Sequence, residues 1–281
     1  MSEENTQMIT TAATVSLHKN FTIACLKRES ESGSTIVFLH GFGSSKEHFR
    51  YAFSSPSLDP FTLIAPDLIG FGQSRGPDDF GYSMIDQASI ILEFLDHAGI
   101  GDFHLCAHSM GGLVGMHIAE LEPQRVLSFV DLEGNLTRED YFFTGKVASG
   151  TFEEFEARGK QKFEKELREA GTHDPAMSEY ADTFSSVSAA ALYKSACHAL
   201  DELSTPLIVK LLRIKNACYI YGDKNIGIYP GEKLLLAAGF PVFYIEHSGH
   251  AMAVENPGHL YSLIRNFIDR CSSHEVPWIC A

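Results

Sequence analysis

The stretch Ala107-His108-Ser109-Met110-Gly111-Gly112 decides the fold. Ahead of it, Phe103-His104-Leu105-Cys106 is a short run that reads as a buried strand. Behind it, Leu113, Val114, Ile118 and Leu121 recur at helical spacing. A serine between small neighbours at a strand-to-helix junction sits on a turn tight enough to strain its backbone, and the turn leaves no room for bulk two residues before or after it. Ala107 and Gly111 meet that demand. A serine among small residues also occurs by chance, so the reading needs companions elsewhere in the chain.

Working outward, the companions appear in order. Thr35-Ile36-Val37-Phe38-Leu39 is a continuous apolar strand that runs into His40-Gly41-Phe42-Gly43. Phe61-Thr62-Leu63-Ile64-Ala65-Pro66 is a second, ending in Asp67-Leu68-Ile69-Gly70-Phe71-Gly72-Gln73-Ser74. Val242-Phe243-Tyr244-Ile245 leads into Glu246-His247-Ser248-Gly249-His250, followed by Glu255-Asn256-Pro257. With these four motifs the chain resembles the α/β-hydrolase superfamily, of the serine esterase, haloperoxidase and C–C hydrolase type with a helical cap. The resemblance runs from the first strands to the last helix and is weakest in the middle of the chain. It implies an α/β fold: a mostly parallel sheet of about eight strands with helices on both faces.

The rest of the sequence fits that architecture. Thr14–Leu17 and Phe21–Leu26 flank His18-Lys19-Asn20 and read as a hairpin. Ser83 through Asp86 is a capping box ahead of a helix whose buried face is Ile85, Ala88, Ile91, Leu92 and Leu95. Val126–Leu132 and Ala217–Tyr221 are further strands. The last helix has Asn256 as its cap, Pro257 in its first turn, and a buried stripe of Leu260, Leu263, Ile264, Phe267 and Ile268. Strands alternating with helices predict a parallel sheet covered on both faces. Between Leu136 and Thr205 no strand is evident. A charged helix from Thr151 to about Ala170 and helices over Pro175–Phe184 and Ser188–Leu203 are expected there. The division expected is therefore a core of residues 1–135 and 206–281 with a helical cap of residues 136–205 inserted after the sixth strand. Phe142, Phe143, Phe152, Phe155, Phe184 and Tyr193 are candidates to line the space beneath the cap or to glue its helices together.

Composition narrows the partners. The chain has 281 residues, 44% hydrophobic and 21% charged, and a formal net charge of −14. A single sizeable core is affordable at this length, and the acidic balance argues against nucleic acid or an anionic membrane as partner. A small-molecule substrate and a monomer or homodimer are expected. The first residues lack a basic and apolar leader, and the six cysteines (Cys25, Cys106, Cys197, Cys218, Cys271 and Cys280) have no metal-like spacing. Together these predict a reduced, cytoplasmic protein, with Cys106 and Cys218 as buried fillers and Cys280 exposed. No residue pattern asks for a cofactor or a metal.

The resemblance also supplies candidate chemistry. Ser109 stands at the nucleophile elbow and His250 where the family carries its general base, with His247 a loop histidine. The backbone N–H groups of Met110 and Phe42 are the expected oxyanion hole. The family's usual acid follows the seventh strand in a Gly-x-x-Asp pattern, which here reads Gly222-Asp223-Lys224-Asn225. An amide thus stands where a carboxylate belongs. Glu133, at the tip of the sixth strand, or Asp223, two residues early, can take its place, or the acid is missing. Asp131 lies too deep in the same strand, and Asp67, His108 and His117 read as structural. The expected reaction is hydrolysis of a small-molecule carboxylic ester through an acyl-enzyme. The alternatives are hydrolytic cleavage of a C–C bond, which needs a cationic clamp, and ligand sensing on the same scaffold.

Overall fold

The computed structural model describes residues 10–31 and 33–273. The expectations for the first residues and for Cys280 fall outside these. The strands are β1 (Thr10–Ser16), β2 (Thr22–Arg28), β3 (Thr35–Leu39), β4 (Thr62–Pro66), β5 (Phe103–His108), β6 (Val126–Leu132), β7 (Ala217–Gly222) and β8 (Val242–Ile245). They form one eight-stranded sheet in the order β1-β2-β4-β3-β5-β6-β7-β8. β2 pairs antiparallel with both β1 and β4, and every other pairing is parallel.

Alternation along the strands sends side chains to two cores. Ile36, Phe38, Cys106, Val130 and Ile220 pack with Leu260, Ile264 and Phe267 on one face. Val37, Leu39, Leu105 and Phe129 pack on the other face with the helices α1 (Met84–His97) and α2 (Met110–Leu121). The Ser83 hydroxyl accepts from the Asp86 amide at 3.2 Å, but the Asp86 carboxylate accepts from the Ser83 hydroxyl at 2.6 Å rather than from its amide, so only half of the expected capping box forms. One residue assigned to a buried helix face turns out otherwise: Ile85 is 45% exposed. It lies at the start of α1, where Met84 and Gln87 are buried instead. Gln87 earns its buried position by pairing both ways with the Ile69 backbone, at 2.9 Å each.

Between β6 and β7 the described chain is helical. It contains a 3-10 turn (Arg138–Asp140), then α3 (Phe142–Val147), α4 (Phe152–Glu154), α5 (Lys160–Ala170), α6 (Pro175–Ser186), α7 (Ala189–Asp201) and α8 (Leu207–Leu212). The single charged helix expected from Thr151 opens on a capping box, Thr151 and Glu154 bonding each other's backbone amides. A π turn at Phe155–Gly159 interrupts it. The remaining helices are α9 (Pro230–Ala237), α10 (Met252–Glu255) and α11 (Pro257–Ser273), the last capped by Asn256, whose side chain accepts from the His259 amide. No helix among the described residues is long and apolar enough to cross a membrane.

The strand order positions the site. From β3 the chain steps to β4 on one side, then returns as β5 on the other side of β3. Such a reversal opens a crevice beyond the carboxyl ends of the two central strands. His40-Gly41-Phe42 leaves β3 at that crevice, and Ser109 leaves β5.

Candidate active site

Ser109 has φ 54° and ψ −123°, a left-handed conformation that a side chain adopts only under constraint. The constraint is steric and hydrogen-bonded. The Ser109 amide donates to the Leu132 carbonyl at 3.0 Å. A Cβ at Gly111 would sit 2.6 Å from the Leu39 oxygen and 2.7 Å from that of His40, so only glycine lets β3 approach the turn. Met110 opens α2, where an amide has no acceptor one helical turn earlier, and the helix dipole favours an anion. The opposing turn is shaped by His40. Its ring is fully buried, donates to the Gly41 carbonyl at 2.9 Å through Nδ1 and accepts from the Leu68 amide at 3.0 Å through Nε2.

His250 Nδ1 lies 2.7 Å from Glu133 Oε2. The His250 side chain is 26% exposed and that of Glu133 only 3%. Glu133 follows β6 with φ 44°. Its Oε1 accepts from the Gly222 amide at 2.8 Å, and the Asn225 amide nitrogen reaches both carboxylate oxygens at 2.9 Å. With Nδ1–H donating to Glu133, the neutral ring leaves Nε2 as its basic nitrogen.

Asp223 is engaged elsewhere. It accepts from the His247 amide at 2.8 Å and the Ser248 amide at 3.1 Å. The first of these bonds is the main reason its carboxyl is held below the usual range. His247 is exposed and has a positive φ of 59°. Asp131 is fully buried, and burial pushes its carboxyl well up. Asp67, also buried, accepts from the amides of Lys46 at 2.6 Å and Gln73 at 2.8 Å and from Lys46 Nζ at 3.0 Å, tying two loops together.

Ser109, His250 and Phe42 line one cavity of about 310 Å³. Of the aromatics singled out in the helical segment, Phe142 and Phe143 line it, and Phe142 meets the His250 ring edge-on at 5.5 Å. Phe155 and Phe184 are buried among the helices, and Phe152 pairs with Tyr193. The sequence reading missed Tyr180. It lines the cavity, donates to the Phe42 carbonyl at 3.0 Å, and stacks on Phe143. Lys224 is the only Lys or Arg in the lining among the described residues, and it is paired with Glu255 at 3.0 Å.

The sheet order, the strained turn and the crevice define the α/β-hydrolase class. Residues 34–204, more than half of the chain, match the family model for the alpha/beta hydrolase fold, and the chain belongs to that family. Its relatives are diverse. It is 38% identical over 101 residues to the dihydrolipoyllysine-residue acetyltransferase component of the acetoin cleaving system of Cupriavidus necator, covering 36% of this chain and 26% of that one. It is 41% identical over 103 residues to a haloalkane dehalogenase of Mesorhizobium japonicum, covering 36% and 32%. The chain thus spans about a third or less of the length of these relatives. A solved structure of a membrane phospholipase A, a bacterial virulence factor, superposes with a TM-score of 0.73 at 24% identity, over 94% of this chain and 87% of that one. Proteins with such different names share one scaffold, so the reaction has to be argued from the site.

Proposed function

We propose that the protein is a serine hydrolase that cleaves carboxylic esters of small molecules through an acyl-enzyme. The observation that carries this reading is the Glu133–His250 contact, held from behind by Asn225. It supplies the acid that the Asn225 departure puts in question, and with it the chemical reason to expect turnover rather than ligand sensing.

In this scheme the Ser109 hydroxyl attacks the ester carbonyl while His250 Nε2 takes its proton. Glu133 holds the ring in the required tautomer and stabilises the imidazolium that forms. The negative oxygen of the tetrahedral intermediate is received by the amides of Phe42 and Met110. His250 then protonates the departing alkoxide. A water deprotonated by the same nitrogen hydrolyses the acyl-enzyme and regenerates Ser109. The helical segment between β6 and β7 acts as a cap, with Phe142, Phe143 and Tyr180 excluding water and shaping the acyl pocket. Displacement of halide by a carboxylate nucleophile is not available, because the elbow carries Ser109. C–C hydrolysis of an anionic dienoate is disfavoured, because Lys224, the one lysine lining the cavity among the described residues, is paired with Glu255.

The test is turnover of short p-nitrophenyl esters together with labelling by a fluorophosphonate. The protein should turn the esters over and bind one equivalent of label at Ser109. Ser109→Ala should abolish labelling and lower kcat by on the order of 10⁶. Equal kcat in parent and variant removes Ser109 from the mechanism.

A further inference from the structure

His108 has no part in the scheme above, yet its placement needs explaining. The ring is 6% exposed. Its Nε2 lies 2.8 Å from the backbone carbonyl of His250, 142 residues away in the chain. A carbonyl only accepts, so Nε2 carries the hydrogen and donates it. One neighbour is His48, stacked at 4.4 Å with the planes 19° apart, and another is the His250 ring at 4.6 Å. Burial first, and then the proximity of His48, His250 and His40, holds His108 well below the usual imidazole range. His48 is pushed down to about 3 for the same leading reason. His48 is therefore neutral wherever the site can work, and burial favours the neutral form of His108, whose Nε2–H is fixed by the carbonyl it faces.

This arrangement is expensive as mere packing. His108 Nδ1 and His48 Nε2 are buried with no hydrogen-bond partner, and an unpaired buried polar group costs about 1–3 kcal/mol. A phenyl ring at 108 would fill the same space without that cost. What it would lose is the bond to His250.

We infer that His108 is a positioning residue for the general base: its Nε2–H latches the His250 backbone to the elbow that carries Ser109. The consequence is geometric. His108 ends β5 and Ser109 opens the strained turn directly after it, its amide pinned to β6 through the Leu132 carbonyl. That turn fixes the nucleophile through its own backbone and the base through the neighbouring side chain. The two reacting groups are then referenced to the same rigid element. Glu133 orients the ring of His250, and His108 sets the height of its loop.

The inference rests on the serine-hydrolase reading, and the experiment separates the two. His108→Phe keeps a flat ring against His48 and removes the donor, whereas His108→Gln keeps an N–H near the position of Nε2. In His108→Phe, kcat for short p-nitrophenyl esters and the rate of fluorophosphonate labelling should both fall by about 10- to 100-fold, the cost of a displaced catalytic group. KM should change less than kcat, since His108 is one of many residues lining the cavity and the exchange keeps a flat ring there. His108→Gln should recover most of the rate. Parental rates in His108→Phe, or equal losses in both variants, overturn the latch. Amide hydrogen exchange over residues 247–251 reads it without any turnover. Exchange should quicken in His108→Phe and return towards parental in His108→Gln, and unchanged exchange in His108→Phe refutes the latch even if Ser109 proves not to be the nucleophile.

Discussion

The tips of β6 and β7 stand side by side in the sheet and carry opposite chemistry. Glu133, just past β6, offers a carboxylate; Asn225, three residues past β7, offers an amide. In the family pattern the acid belongs to the second of these places. Here the two residues face one another, the amide donating to both oxygens of the acid at 2.9 Å. The pair therefore amounts to a carboxylate with its support, arranged in the reverse order along the chain. Reach explains why the exchange is possible. β6 and β7 are adjacent and parallel, so a carboxylate from either tip can approach the same side of the His250 ring. A glutamate, one methylene longer than an aspartate, suits the strand one place nearer the elbow.

The sharpest way to break this comparison is to remove the charge from β6. Glu133→Gln keeps the shape but can turn an N–H towards His250 Nδ1, which favours the wrong tautomer and leaves the imidazolium without its counter-charge. A loss of about 10³- to 10⁴-fold in kcat is expected, with KM little changed. A kcat within tenfold of the parent would take Glu133 out of the mechanism. Circular dichroism and thermal melting keep a folding defect from being mistaken for a catalytic one.

A smaller effect is expected from putting the family's usual residue back. Asn225→Asp places a second carboxylate where the amide now lies within 2.9 Å of both Glu133 oxygens. Two carboxylates that close do not both ionise readily, so one proton is retained to higher pH. The sign follows: the acidic limb of the kcat/KM profile moves up, by about one unit or more. At pH 6 the variant should be about tenfold slower than the parent, with the difference closing on the alkaline side. A profile superimposable on the parent's would mean that Asn225 and Glu133 do not interact in the working enzyme.

How much of this was legible in the chain differs between the sheet and the segment that covers it. The strands and the turns at their ends were readable because each is dictated locally. Gly111 must be glycine to let β3 approach, and the short apolar run of β3, bounded by turn residues, reads as a buried strand. Even Glu133 could be placed at the right edge by counting from Val126. The exposed position of Ile85 was misjudged because periodicity gives a helix face but not where the neighbouring layer ends. The roof was harder still. Phe142 and Phe155 are equivalent as residue types, yet only the first lines the cavity, a difference set by how α3 and the π turn at Phe155–Gly159 pack. Tyr180 gave no signal at all, since its bond to the Phe42 carbonyl joins residues 138 apart in the chain. His108 was read as packing because a lone histidine on an apolar strand ordinarily is, and only the facing His250 carbonyl separates the two roles.

The mildest test concerns Asp223, the competitor for the acid's role on the β7 side. Its carboxylate braces the amides of His247 and Ser248 at the start of the loop that carries His250. Asp223→Asn should therefore leave kcat within about twofold, far from the loss expected of a triad acid, while lowering the melting temperature at pH 7. The pH dependence has a definite sign. A carboxyl whose folded value is depressed contributes stability above its unfolded value, near 3.9 for aspartate, and loses it as pH falls through the folded value. The gap in melting temperature between parent and variant should be widest near neutrality and close below about pH 4. A kcat loss as large as that of Glu133→Gln would instead return the acid to the β7 side, and the reversal of roles between the two strand tips would fail with it.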